Sequence, residues 1–139
     1  MSENNTAAMR EIMAFLQEAR VFFLATIDGD RPQVRPFGAV CETDGRLYLV
    51  TGNQKPVYAQ MIANPHISLS AMTSDGRWLR LSAEAVRDDR REARKAMLDA
   101  NPDLRALYNE DDGVVEVFYL QNAEAAVCTF TAPPVVYWF

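Results

Sequence analysis

The chain has 139 residues and a mass of 15.7 kDa, about one domain, and 49% of it is hydrophobic, too much for a disordered protein. Lysine plus arginine number 14 against 19 aspartates plus glutamates, a net charge of −5. An acidic surface disfavours nucleic acid, because that binding rests on neutralising phosphates. No apolar run approaches the roughly 20 residues of a membrane helix, and MSENNTAAMREI lacks the basic-then-apolar order of a secretory leader. Cys41 and Cys128 lie far apart and read as small buried thiols, and His66 is the only histidine. A structural zinc site is therefore not expected, and a reduced, cytoplasmic setting is.

The first expected element is a helix. Met9, Ile12, Met13, Leu16 and Ala19 recur at helical spacing, and Thr6 or Asn5 suits the cap. VFFLATI (21–27) is rich in β-branched and aromatic residues and reads as a strand ending in the turn DGDRP. QVRPFGAVCE (33–42) and RLYLVT (46–51) read as the next two strands, separated by the turn TDG. Short loops predict that these three form an antiparallel meander. PVYAQMIA (56–63) predicts a short helix with proline at its first position, closed by Asn64-Pro65. HISLSAMTS (66–74) and RWLRLSAEAVR (77–87) flank Asp75-Gly76, a two-residue hairpin signal. A further helix carries Ala93, Ala96, Met97 and Ala100 on its apolar stripe, with Asp89 and Glu92 in capping-box spacing. Asn101-Pro102 breaks it, and DLRALY opens a short turn. The last strands are VVEVFYLQ (114–121) and 123–130, containing EAAVCTF; the tail TAPPVVYWF is interrupted by prolines.

This gives seven strands and three or four helices in one domain over 1–139, with 1–8 and 131–139 flexible or extended. The strands do not alternate regularly with helices, which argues against a parallel α/β sheet. The expected fold class is mainly β, an antiparallel β-barrel with peripheral helices.

Three stretches could carry chemistry. LVTGNQKPVYAQ sets Lys55, one of two lysines, beside Thr51 and at the start of a helix. The first N–H groups of a helix lack intrahelical partners and favour an anion; a solvated turn is the alternative. In VRPFGAV, alternation puts Arg35, Phe37, Ala39 and Cys41 on one face and Val34, Pro36, Gly38 and Val40 on the other. A mid-strand arginine needs an acidic side chain or an anionic ligand. Pro36 marks an edge or irregular strand, leaving backbone groups for a planar heterocycle. In RWLRLSAEA, Leu79, Leu81, Ala83 and Ala85 face the core, while Trp78, Arg80, Ser82 and Glu84 form an interface or ligand wall. There is no nucleophile elbow, GxGxxG or P-loop, and Asp111-Asp112 reads as a solvated loop. An enzyme on this chain would leave the hard chemistry to a cofactor.

The ordered set R-P-F, strand-T-G-x-x-K, helix-N-P and W-x-R resembles the FMN-binding split barrels of the pyridoxamine 5′-phosphate oxidase-like family over roughly residues 9 to 130. The resemblance implies a homodimer with FMN at the subunit interface. It implies that Arg35 and Lys55 bind the FMN phosphate. Backbone around Pro36 and Phe37, and around Val50 and Thr51, would line the isoalloxazine ring and ribityl chain. Gln54 stands in the phosphate-binding turn where true oxidases carry arginine. Trp78, replacing a family glutamine, would approach from the partner subunit. Val40 stands where those oxidases hold the substrate-phosphate lysine, and their C-terminal Arg-x-His segment is absent. The likeness is therefore to the shorter, nitroimidazole-resistance-type subfamily rather than to vitamin B6 oxidases. It implies an FMN-dependent oxidoreductase passing electrons from NAD(P)H to a small acceptor. The alternatives are a non-catalytic flavin- or haem-binding module, with His66 as haem ligand, and an F420-dependent reductase.

Overall fold

Residues 3–139 are described by a computed structural model and form three α-helices and eight strands. The helix α1 (Glu3–Ala19) precedes β1 (Phe22–Asp28), β2 (Arg31–Phe37), β3 (Val40–Thr43) and β4 (Arg46–Gly52). Then come α2 (Pro56–Ala63), β5 (His66–Met72), β6 (Trp78–Asp88) and α3 (Arg91–Ala100). A 3-10 turn (Pro102–Ala106), β7 (Val115–Cys128) and β8 (Val135–Trp138) complete the chain. The strands pair antiparallel in the order β2-β1-β5-β6-β7-β4-β3, with β8 added along β7.

The neighbour pairings of the expected meander form, β1 with β2 and β3 with β4, but its middle strand is split in two. β2 and β3 are consecutive in sequence yet lie at opposite ends of the sheet, and the strand expected over 33–42 breaks at Gly38 and Ala39. Val40 packs in the large core with α1, whereas Cys41, on the opposite face of β3, packs against Ala93 and Met97 of α3. The break also curls the sheet. Three steps from Phe37 to Val40 reach at most roughly 11 Å, so the two edge strands must come together at this corner. No strand pairing joins them among the described residues, and the result is a split β-barrel.

Other expectations shift for local reasons. The last two expected strands are one strand, β7, because Asn122 takes φ +52° opposite a register slip between Ser82 and Glu84 and the chain runs on through a bulge. The first half of β7 pairs with β4 and the second half with β8, so a long strand has partners throughout. The tail therefore supplies an eighth strand, and α1 already covers residues 3–8. Asn5 and Thr6 lie inside α1 rather than capping it. The Asp89 capping box does not form. Arg90 holds the cap position of α3, its N–H donates to Asp88 Oδ1, and Asp89 pairs with Arg87. The β5–β6 hairpin turns through three residues, closed by Thr73 N–H to Arg77 O, with Gly76 at φ +89°.

Met9, Ile12, Phe15 and Leu16 of α1 share the main core with Leu47, Leu49, Leu79, Leu81 and Leu120. Each such side chain contributes about 1.5–3 kcal/mol on full burial. β6 buries Leu79, Leu81, Ala83 and Ala85, the face its alternation predicts. Under α3, the Tyr48 hydroxyl donates to Asp88 Oδ2 at 2.6 Å, and Arg90 pairs with the same carboxylate at 2.9 Å. The Arg90 guanidinium, with the Tyr48 hydroxyl, holds the buried Asp88 carboxyl below the usual carboxylate range; burial and Asp88 push Tyr48 up to about 12.

A carboxylate with a depressed folded pKa contributes stability above its unfolded value, about 3.9, and loses it as pH falls through the folded value. Urea midpoints are therefore expected to fall below about pH 4. In Asp88→Asn the protein is weaker at neutral pH and its acid-side decline is shallower; an unchanged acid slope would remove Asp88 as the source.

Candidate functional site

The split in the barrel opens a cleft of about 530 Å³ lined by Arg35, Pro36, Phe37, Val50, Thr51 and Lys55. These are six of the eight site residues expected from sequence, and topology explains why they meet. Among the described residues the outer edge of β2 has no strand partner. On the facing side, the β3 pairing ends with Val40 opposite Leu49, so Val50, Thr51 and Gly52 overhang it. Pro36, which lacks a backbone donor, suits the open edge it occupies. The helix α2 begins with Pro56 at its first position and buries Val57 and Met61, which holds its N-terminus against the end of β4. Lys55 is the cap residue and Val57 lines the cleft.

The electrostatics distinguish the two cations from most others. Arg10, Arg77, Arg87, Arg90, Arg91, Arg94, Lys95 and Arg105 all pair with carboxylates. Among the described residues, Arg35 and Lys55 form no ion pair. Arg35 is held by neutral groups: Nη1 donates to Thr26 Oγ1 and Nη2 to Gln60 Oε1, both at 2.6 Å. Burial lowers its pKa. No acidic residue occupies the first turn of α2, so nothing there offsets the helix dipole. Thr51 is 4% exposed, and its Oγ1 has no hydrogen-bond partner among the described residues. A buried hydroxyl left unpaired costs about 1–3 kcal/mol; here the residue that carries it is one of those lining the cleft. Two unneutralised cations and an orphaned hydroxyl make a donor set suited to an anionic, oxygen-rich group.

The remaining two expected residues lie elsewhere. Gln54 is exposed on the turn before Lys55 and does not line the cleft. Trp78 lines a separate hollow on the outer sheet face with Phe23, Val34 and Arg80, and its ring lies 4.8 Å from Phe130. Within one chain it does not reach Arg35 or Lys55. His66 is exposed at the start of β5 and lies outside the cleft.

Sequence reasoning missed the third wall, formed by residues 100–104, 107 and 108 after α3. Asn101 Nδ2 donates to Val40 O at 3.0 Å and pins this segment to β3. Asp103 brings a carboxylate to this wall, and Leu107 is 76% exposed. Tyr108 packs on the end of β4 because residue 52 is glycine: a Cβ there would lie 3.1 Å from the Tyr108 hydroxyl and 2.7 Å from Gln54 Oε1. Apolar residues just beyond the Asn101-Pro102 break were the available signal. Thr26 and Gln60 also went unnoticed, since no local motif ties either to Arg35.

Residues 8–117 match the family model described as pyridoxamine 5′-phosphate oxidase, and the chain belongs to that family of split barrels. A NimC/NimA family protein from Clostridium acetobutylicum is 41% identical, with a TM-score of 0.96 over 98% of this chain and 95% of that one, which identifies the nitroimidazole-resistance-type branch. More distant structures share the fold. General stress protein 26 from Bacillus anthracis has 16% identity, 96% and 98% coverage and a TM-score of 0.70. A haem-binding protein from Mycobacterium smegmatis has 19% identity, 99% and 58% coverage and a TM-score of 0.70. No curated protein matches the chain.

Replacing Thr51 by valine removes the orphaned hydroxyl at nearly constant shape. The ligand-free variant is expected to keep its stability or gain up to about 1–2 kcal/mol by urea unfolding. A loss beyond about 1 kcal/mol would mean that the hydroxyl is already satisfied.

Proposed function

We propose that this protein binds FMN in the split of the barrel and uses it as a flavin-dependent reductase for a small acceptor, with NAD(P)H as donor. The carrying observation is that Arg35 and Lys55, 20 positions apart, line one cleft and have no carboxylate partner among the described residues. The orphaned Thr51 hydroxyl on the same wall supports a ligand rich in oxygen. A phosphate dianion suits these groups, because charge-assisted hydrogen bonds are roughly twice as strong as neutral ones.

When bound, the flavin supplies the redox chemistry, taking a hydride equivalent and delivering electrons. The residues of this chain bind and orient. Arg35 and Lys55 hold the phosphate, and the N-terminus of α2 adds its dipole. The free edge of β2 at Pro36 and Phe37 and the overhang at Val50 and Thr51 offer backbone groups to a planar ring. The wall at Leu107 and Tyr108 limits water on its side.

The cleft is open in one chain, which favours completion by a second copy. The outer sheet face leaves Phe23, Val34 and Met72 exposed, an apolar surface suited to a homodimer. In that arrangement Trp78 would come from the partner, as the family resemblance implies. A haem-binding reading has less support, since His66 lies outside the cleft. Among the described residues no helix is long and apolar enough to cross a membrane.

The purified protein is expected to be yellow, with extracted FMN identified by mass spectrometry and a dimer mass in sedimentation. Replacing both Arg35 and Lys55 with alanine is expected to weaken FMN binding at least about 100-fold, on the scale of two lost charge-assisted bonds. Stoichiometric FMN retained by that double variant would refute the assignment, and F420 in the extract would replace the cofactor.

A further inference from the structure

Arg35 is held from below by two residues that touch each other. Thr26 Oγ1 donates to Gln60 Oε1 at 2.6 Å, and both oxygens accept from the guanidinium at 2.6 Å. Thr26 is only 2% exposed, on β1, and Gln60 is half-buried on α2. Nη1 also makes a longer bond, 3.4 Å, to Leu24 O. Three elements, β1, β2 and α2, thus converge on one side chain. A guanidinium has five N–H donors in a rigid plane. Three are taken by this nest, and Nε makes no hydrogen bond among the described residues. The Nε–H and the remaining Nη2–H are left free, and these two form the side-on fork that receives an oxyanion in bidentate fashion.

We propose that Thr26 and Gln60 are positioning residues that fix the Arg35 fork toward the cleft while leaving its charge unneutralised. This rests on the reading of Arg35 as a phosphate anchor and explains why its partners are neutral. An aspartate or glutamate would orient the guanidinium equally well but would cancel its charge and compete with the ligand. Neutral oxygens orient by hydrogen bonding alone. Gln60 lies one turn beyond Pro56 on α2, so the same bond ties the helix that starts at Lys55 to the strand that carries Arg35. The two cations are therefore held in a common frame before any ligand arrives, and the ordering cost of binding is reduced in advance.

The test compares FMN with riboflavin, which lacks the phosphate, by titration of full-length protein stripped of flavin. Gln60→Glu keeps the size and acceptor but adds a charge. Its FMN-over-riboflavin preference is expected to fall about tenfold or more while riboflavin affinity stays within about twofold. Thr26→Val is expected to lose part of the preference, and Thr26→Ser, which restores the hydroxyl, to recover it. General damage to the fold would weaken both ligands together and leave their ratio unmoved. Should Gln60→Glu bind no riboflavin, the valine and serine pair at position 26 carries the decision. A Gln60→Glu protein with the wild-type preference overturns the proposal while the phosphate reading stands. A wild-type protein that binds FMN no better than riboflavin overturns the phosphate reading, and this inference with it.

Discussion

Gly38 and Ala39 join the two ends of a sheet. Among the described residues β2 pairs only with β1 and β3 only with β4, and five other strands separate them along the hydrogen-bonded path. A link this short can span that path only if the sheet curls until its ends nearly meet. The ends are tethered at one corner and unpaired beyond it, so the barrel closes covalently but not by a ladder. The gap that remains exposes strand edges, which proteins usually cover or charge. Here the gap is lined by two cations, a proline and the start of a helix, and it has a third wall from the segment after α3. Fold and site are consequences of the same constraint.

Charge is distributed to suit that gap. The chain carries a net charge of −5 and pairs most of its arginines with carboxylates. Such surface pairs contribute little stability, typically about 0–1 kcal/mol each. Their larger effect is negative: a paired arginine is not available to a ligand. Among the described residues Arg35 and Lys55 form no ion pair; Arg20, Arg31, Arg46 and Arg80 form none either, but they do not line the cleft. Partial burial works against the charged form of Arg35 and lowers its pKa. An incoming anion would remove that penalty, which is why an uncomfortable cation is informative about a ligand.

Local features were legible in the sequence. Pro56 fixed the start of α2, the alternation of Leu79 to Ala85 identified the core face of β6, and Pro36 marked an edge. These depend on a few neighbouring residues. The neighbour pairings expected over residues 21–51 form, but nothing local reveals that the middle strand breaks at Gly38 and Ala39 and sends its halves to opposite ends of the sheet. Residues 114–121 and 123–130 read as two strands, whereas Asn122 between them takes a left-handed conformation that bulges one strand rather than ending it. In the site, Arg35 and Lys55 stood out because a cation in an apolar strand and a rare lysine at a helix start are locally odd. Thr26, Gln60 and the Tyr108 wall did not, since each acquires its role through a partner tens of positions away. Trp78 stood out as an aromatic on an exposed face, yet its place in the molecule depends on what packs against that face.

The most direct measurement is a crystal structure of the protein grown with FMN. The expected result has the phosphate within hydrogen-bond distance of the Arg35 side-on fork, Lys55 Nζ and the N-terminus of α2, with Thr51 Oγ1 bonded to the ligand. Flavin seated instead in the hollow beside Trp78 of the same chain, or a phosphate with Arg35 turned away from it, would contradict the central claim.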